Sequence, residues 1–195
     1  MKPPPARHEP HLNIEAVSSW VLRFADQVAT GGKVLDVACG AGRHALFFAQ
    51  RGHPVDAVDR DIVLLSEVLM AQTAVEQPAA LRLVQADIET GPWPFPDRLY
   101  AAVVVTNYLH RPLFPALLAA VEPGGLLVYE TFALGNERYG RPSRAEFLLR
   151  PGELLEIVRG DFEVLAYESG PVVAPKPAII QRIVAKRLDV SGNVK

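Results

Sequence analysis

The run Val34-Leu35-Asp36-Val37-Ala38-Cys39-Gly40-Ala41-Gly42 constrains the fold more than any other part of this sequence. A short β-rich segment, residues 33–37, is closed by a turn with two glycines, and helical spacing follows over residues 43–50. A strand, a tight turn and a helix open a βαβ unit, whose crossover is right-handed. The pattern then repeats. Strands are expected at 54–58, 81–85, 100–105 and 126–130, and helices at 61–75 and 112–120. Val103-Val104-Val105 and Leu126-Leu127-Val128 are apolar without a break, as in strands covered on both faces. The expected architecture is α/β: a doubly wound, mostly parallel sheet of about seven strands.

The ends of the chain depart from this alternation. Residues 1–12 hold four prolines and read as a loose arm. Helical spacing over 13–28 (Ile14, Val17, Trp20, Val21, Phe24, Val28) precedes the first strand. Residues 131–150 show no period, and a long irregular stretch in a compact domain is often a functional lid. A helix over 151–158 and two consecutive strands, 162–167 and 178–187, then predict a closing antiparallel pair. The expected organisation is one domain, 13–188, with a loose tail at 189–195.

Glycines in the first turn let the backbone approach a ligand closely, and the helix that follows points its N–H groups at it. Gly40-Ala41-Gly42-Arg43-His44-Ala45 satisfies the dinucleotide pattern G-x-G-x-x-G/A, and such a turn can also merely connect two elements. Three acids bear on the choice. Asp36 precedes the turn and suits a cationic ligand, such as the sulfonium and ammonium groups of S-adenosylmethionine, better than a pyrophosphate. Asp59 ends the second strand, where an acid accepts from ribose hydroxyls. Asp87 follows the third strand, placed to accept from an adenine amine, with the Ile88 N–H beside it.

With these residues in view, the sequence resembles the class I, Rossmann-like S-adenosylmethionine-dependent methyltransferases. Residues 34–42 resemble that family's first motif, Val55-Asp56-Ala57-Val58-Asp59-Arg60 its second and Ala86-Asp87-Ile88 its third. Val103-Val104-Val105-Thr106-Asn107-Tyr108 resembles the fourth, and Glu122-Pro123-Gly124-Gly125-Leu126-Leu127-Val128 the turn into the fifth strand. Ala38 stands where many members carry the first glycine. The resemblance implies that Asp36 orients the methionine end, that Ala38, Cys39 and Gly40 line the cofactor with backbone, and that Asp59 holds the ribose with Arg60 beside it. It also implies that Asp87 and Ile88 frame the adenine, that Asn107 lies beneath the reacting methionine portion, and that S-adenosylhomocysteine is the product. The segments 147–155 and 162–168 resemble small-molecule methyltransferases related to the tellurite-resistance and thiol methyltransferase group. Small thiols or chalcogen oxyanions are the acceptors this implies.

On the acceptor side the candidates follow the fourth strand. His110 is placed to act as a base and Arg111 to hold an anion, or both cap the helix that begins at Pro112. Tyr108 and Glu130 are expected to face the same cleft. The stretch 136–144 contains Tyr139 and Arg141 and reads either as a lid over a small anionic acceptor or as a solvated loop.

The formal net charge is −2, which gives no global basic field for nucleic acid or anionic membrane. No apolar run is long enough to span a bilayer, and no signal peptide or metal-binding spacing is visible. One cysteine allows no intrachain disulfide and points to a reducing compartment, hence a cytoplasmic protein, monomeric or a homodimer. Three alternatives stay open from the residues: methylation of RNA or protein, a nicotinamide-dependent oxidoreductase, and a non-catalytic protein that keeps the cofactor pocket.

Overall fold

The computed structural model describes residues 16–63, 65–66 and 81–189. The expected N-terminal arm, the start of the first helix at 13–15, residues 64 and 67–75 of the helix expected over 61–75, and all but the first residue of the C-terminal tail lie outside the described residues. Seven strands form one sheet: β1 (Val34–Val37), β2 (Val55–Asp59), β3 (Leu81–Gln85), β4 (Tyr100–Thr106), β5 (Val121–Phe132), β6 (Phe162–Val172) and β7 (Ala178–Arg187), in the order β3-β2-β1-β4-β5-β7-β6. The first five pair in parallel, and β7 is antiparallel to both β5 and β6. This is the doubly wound sheet with a closing antiparallel pair that the apolar runs predict. β7, the last strand in the chain, inserts between β5 and β6 rather than lying at the edge.

Four described α-helices cover the sheet: α1 (Ser19–Phe24), α2 (Arg43–Gln50), α3 (Phe114–Ala120) and α4 (Glu153–Ile157). Successive strand residues point to opposite faces. Val34, Ala102, Val104, Leu126 and Val128 therefore pack with α1 and α2, in a cluster that includes Trp20, Phe24 and Phe48. Leu35, Val37, Val103, Val105, Leu127 and Tyr129 pack on the other face, with Phe114, Leu117 and Leu154.

Helix spacing over 13–28 is realised only in part. Ser18 takes an extended conformation and its Oγ accepts from the Trp20 N–H at 3.1 Å, so the helix begins at Ser19 and not before. A capping hydroxyl competes with helix continuation, which removes Val17 from the helix. The fifth strand is longer than its apolar stretch because Val121 already pairs with Tyr100. The turn 122–125 then bulges out before Leu126 rejoins opposite Ala102. A Cβ at Gly125 would stand 2.9 Å from the Tyr100 carbonyl, so only glycine closes that bulge. Residues 131–150 are not structureless: they hold two 3₁₀ turns, Asn136–Arg138 and Ala145–Phe147. Buried Asn136 anchors them, donating to the Pro142 carbonyl at 2.9 Å and accepting from the Ile179 N–H at 3.1 Å.

Trp20 fixes α1 to the sheet. Its ring is 1% exposed, stacks edge-on with Phe24 at 4.8 Å, and its Nε1 donates to the Ile183 carbonyl at 3.2 Å. Trp20→Ala removes this ring and its hydrogen bond to that carbonyl. Urea unfolding should show a loss of about 3–5 kcal/mol.

Candidate functional site

Period two along the strands decides which polar groups meet. Asp36, Thr106 and Glu130 fall on the α1/α2 face, near the carboxyl ends of three neighbouring strands, with Thr106 directly opposite Glu130. Asp36 is 1% exposed, and its Oδ2 accepts from the Ala45 N–H of α2 at 2.9 Å. Burial raises its pKa to about 7, against the Ala45 N–H and the nearby Arg43, which favour the carboxylate.

That bond leaves the turn from Val37 to Arg43 little length, and it turns sharply. Ala38, Gly40 and Gly42 all have positive φ, at 54°, 53° and 76°. Ala38 thus holds a left-handed conformation that glycine adopts without steric cost, at a price of about 1–2 kcal/mol. A Cβ at Gly42 would lie 2.2 Å from Leu65, whereas one at Gly40 would meet nothing within 4 Å and would project into open space above the turn. Cys39 is buried, and burial followed by the Asp36 and Asp59 charges pushes its thiol up, so it is a wall residue and not a nucleophile.

The residues expected to hold the cofactor come together along β3, β2, β1 and β4, which are neighbours in the sheet. Asp59 braces the turn, accepting from the Gly40 N–H at 2.9 Å and the Asp61 N–H at 3.1 Å, with carboxylate lone pairs left for a hydroxyl. Arg60 is exposed, and its carbonyl accepts from Gln85. Ile88 is buried beside the β3 end. Asp87 is exposed and accepts from the Glu89 N–H, the Thr90 N–H and the Thr90 hydroxyl, which hold its carboxyl below the usual range. It is first the cap of its own turn, which leaves less of it for an adenine amine. Asn107, exposed with φ 55°, kinks the chain as it leaves β4.

Two acceptor-side expectations change. Arg111 is a brace and is not free to hold substrate. Its guanidinium grips Glu153 through Nε at 2.6 Å and Nη2 at 2.9 Å, and donates to the carbonyls of Glu146 and Leu148. Glu130 lies two residues inside the end of β5, and both its oxygens are engaged, by the Ser18 hydroxyl at 2.7 Å and Arg182 at 3.1 Å. His110 is partly buried, and its carbonyl starts the 3₁₀ turn at Arg111 by accepting from the Leu113 N–H. Tyr139 and Arg141 are exposed, and neither side chain hydrogen-bonds another described residue. Tyr108 is partly buried; its carbonyl accepts from the buried Tyr129 hydroxyl at 2.8 Å.

Sequence reading missed the group that roofs this site. The Ser18 N–H donates to His44 Nε2 at 3.2 Å, and Arg43 reaches the Ala16 carbonyl at 3.3 Å and the Thr106 hydroxyl at 3.4 Å. Burial and the Arg43 charge lower the His44 pKa to about 3, so the ring is neutral. Signals were present: Ser18 precedes an apolar helical run, and Arg43 puts a cation in the first turn of a helix that carries no acid there.

No group of His, Cys, Asp and Glu that could hold a metal occurs among the described residues, and none of their helices is long and apolar enough to cross a membrane.

Comparison with known proteins bears on the domain and the fold. Residues 34–125 match the family described as a methyltransferase domain. The chain is 28% identical over 151 residues to Hemagglutinin 1 of Eikenella corrodens, covering 75% of this chain and 49% of that protein. It is 34% identical over 109 residues to the trans-aconitate 2-methyltransferase of Paracidovorax citrulli, covering 53% of this chain and 40% of that protein. The chain therefore spans about half the length or less of these curated relatives. TehB from Haemophilus influenzae has the same fold, with a TM-score of 0.71 at 20% identity over 88% of this chain and 63% of that one. The methyltransferase-domain match covers just under half of the chain, and the likeness to TehB is one of fold. The residues fit the S-adenosylmethionine expected from the sequence: acids for its cations, open space above Gly40, and a buried Tyr108 hydroxyl.

Two outcomes follow. A cationic ligand draws the Asp36 pKa down from about 7, so binding releases a proton. Affinity for S-adenosylmethionine should rise with pH between about 6 and 7 and level off above, and calorimetry should find this dependence gone in Asp36→Asn. For Arg111, burial alone would raise Glu153, but the Arg111 bonds bring it down to about 2. Arg111→Ala should cost about 2–3 kcal/mol in denaturant unfolding at pH 7. That cost shrinks as pH falls below about 4.5 toward 2, because protonation of Glu153 then removes the pair in both proteins.

Proposed function

We propose that this methyltransferase domain transfers the methyl group of S-adenosylmethionine to a small anionic molecule. The observation that carries the acceptor side is Arg43. It is half buried, its two neutral hydrogen bonds are long at 3.3 and 3.4 Å, and, unlike Arg111 and Arg182, it is ion-paired to no carboxylate among the described residues. It also sits in the first turn of α2, where a cation opposes the helix dipole at a cost of about 0.3–1 kcal/mol. The charges of Asp36 and Glu130 favour the cation from a distance, but neither bonds it, and its free donors suit an anion brought from outside. The trans-aconitate 2-methyltransferase among its relatives is named for a carboxylate acceptor.

The cofactor supplies a methyl on a positive sulfur that departs as a neutral thioether. The chain's residues provide the rest. Asp36 balances cationic charge at the amino-acid end, Ala38, Cys39 and Gly40 line the turn, and Asp59 takes the ribose. Asn107 shapes the exit from β4. Arg43 holds and orients the acceptor, and the segment 16–18, tied to His44 and Glu130, limits water above it. His110 acts as a base where the attacking atom carries a proton, a role worth about 10²–10⁴-fold. A thiolate or an oxyanion needs no such step.

Titration calorimetry with S-adenosylmethionine and S-adenosylhomocysteine tests the cofactor. No binding at high micromolar concentration overturns the reading. A methylation assay over small carboxylates, thiols and chalcogen oxyanions, with neutral alcohols and amines alongside, tests the acceptor. Arg43→Gln should raise the KM of the active anion tenfold or more and change the S-adenosylhomocysteine affinity much less. Turnover confined to neutral acceptors would refute the anionic assignment.

A further inference from the structure

Tyr108 carries the one buried side-chain N or O atom, among the described residues, that has no hydrogen-bond partner. A buried hydroxyl left unpaired costs about 1–3 kcal/mol, so a fold that keeps one invites a partner from outside. The path of the chain and the acids around it say on which side of the site that partner lies. The chain leaves β4 at Thr106 and turns sharply at Asn107, whose positive φ is within the left-handed region that asparagine tolerates. Tyr108 then packs against the cluster of the α3/α4 face, which runs from Ile88 and Phe95, beyond β3, to Tyr129 of β5. The backbone is pinned there by Tyr129, whose hydroxyl donates to the Tyr108 carbonyl at 2.8 Å. The surroundings place the hydroxyl toward β3: burial pushes it up, and so do the Glu89 carboxylate, the one acid near enough to compete for its proton, and the charges of Asp87 and Asp59. Those acids belong to the ends of β2 and β3, and the acceptor-side groups Arg43 and Glu130 are absent from them.

We infer that Tyr108 serves the cofactor and not the acceptor: its hydroxyl hydrogen-bonds the adenosine half of S-adenosylmethionine, in the compartment formed by Asp59, Ile88 and Asn107. Built this way, the residues after β4 divide the site. Tyr108 turns toward β3 and the nucleoside, while Thr106 faces Arg43 and the methyl acceptor. The inference rests on S-adenosylmethionine being the cofactor. It assigns a binding residue that a sequence reading places on the acceptor side, because Tyr108 follows directly on Asn107 and its direction depends on that kink.

The test uses two ligands, S-adenosylhomocysteine and 5′-methylthioadenosine, which share the adenosine half while the second lacks the amino acid. Both are titrated by calorimetry into the ligand-free wild type and Tyr108→Phe, with thermal unfolding of each protein without ligand. Loss of a neutral hydrogen bond should weaken both ligands by the same factor, roughly threefold to tenfold. The ligand-free variant should unfold close to the wild-type temperature, since the only group that competes for the hydroxyl is the Glu89 carboxylate. Unchanged affinity for both ligands overturns the inference. So does weakening of S-adenosylhomocysteine alone, which would place Tyr108 at the amino-acid end. A lower unfolding temperature with unchanged affinities also overturns it, by assigning the hydroxyl to a Glu89 contact within the protein. Failure of the wild type to bind either ligand would instead count against the cofactor itself.

Discussion

The structure turns on one buried carboxylate. Asp36 lies in the centre of the sheet, at 1% exposure, beside the unbroken apolar run of β4. An ion in such a place is costly unless its surroundings answer it. Here the answer is one N–H from Ala45 at 2.9 Å and the charge of Arg43, and it is incomplete, which is why the group titrates near 7. The bond also fixes α2 relative to β1. With both ends of the turn held, the backbone between them must use left-handed conformations at Ala38, Gly40 and Gly42. The open space above Gly40 is a consequence of that constraint, and so is the position of every group that α2 brings to the strand ends.

The roof of the site follows from the same face of the sheet. Asp36, Thr106 and Glu130 share it because they lie at even spacing along registered strands. Each is a polar group set in an apolar layer and needs a partner. Asp36 takes the Ala45 N–H, Thr106 meets Arg43 and His44, and Glu130 takes the Ser18 hydroxyl and Arg182. Ser18 ties the segment before α1 down: its N–H donates to His44, its hydroxyl to Glu130, and its Oγ accepts from the Trp20 N–H. His44 accepts at Nε2, so its proton is on Nδ1, directed at the Thr106 hydroxyl 3.4 Å away. A histidine held neutral to a pKa of about 3 keeps this arrangement through the physiological range. The segment over the strand ends is thus ordered by the polar needs of the strands beneath it.

The fold was legible because its signals are local and repeated. Apolar runs gave β1, β4 and the heart of β5, and glycine turns gave the boundaries of α2 to the residue. What was not legible depended on contacts made at a distance. Ser18 halts a helix whose spacing continues upstream, and only Glu130 and His44 show why the chain turns there. Arg111 and an acid at residue 153 are 42 positions apart, so a guanidinium that sequence places beside the acceptor gives no hint that Glu153 already holds it. Glu130 was read as the end of a strand that continues two residues further, paired with β7. The residues expected on the cofactor side lie together because each is at or next to the carboxyl end of a strand, and those strands were legible. Asp87 shows the limit of that logic: a strand-end acid in the expected place has most of its lone pairs spent on Glu89 and Thr90.

The glycine turn matches a dinucleotide pattern as well as a methyltransferase one, and the difference lies in where its N–H groups go. A pyrophosphate is held by free backbone N–H groups of the turn and of the first helical residues. In this chain two of those groups are already donated to acids, Gly40 to Asp59 and Ala45 to Asp36. A phosphate entering the turn would find the donors occupied and two carboxylates at their backs. At the distances of such a turn, like charges repel by an amount no helix dipole of about half a charge repays. The same carboxylates that shut out a pyrophosphate favour a ligand with positive charge at its amino-acid end and neutral hydroxyls on its sugar. The turn is therefore selective through its bonding partners and not through its glycines, and a formula that records only the glycines does not carry that selectivity.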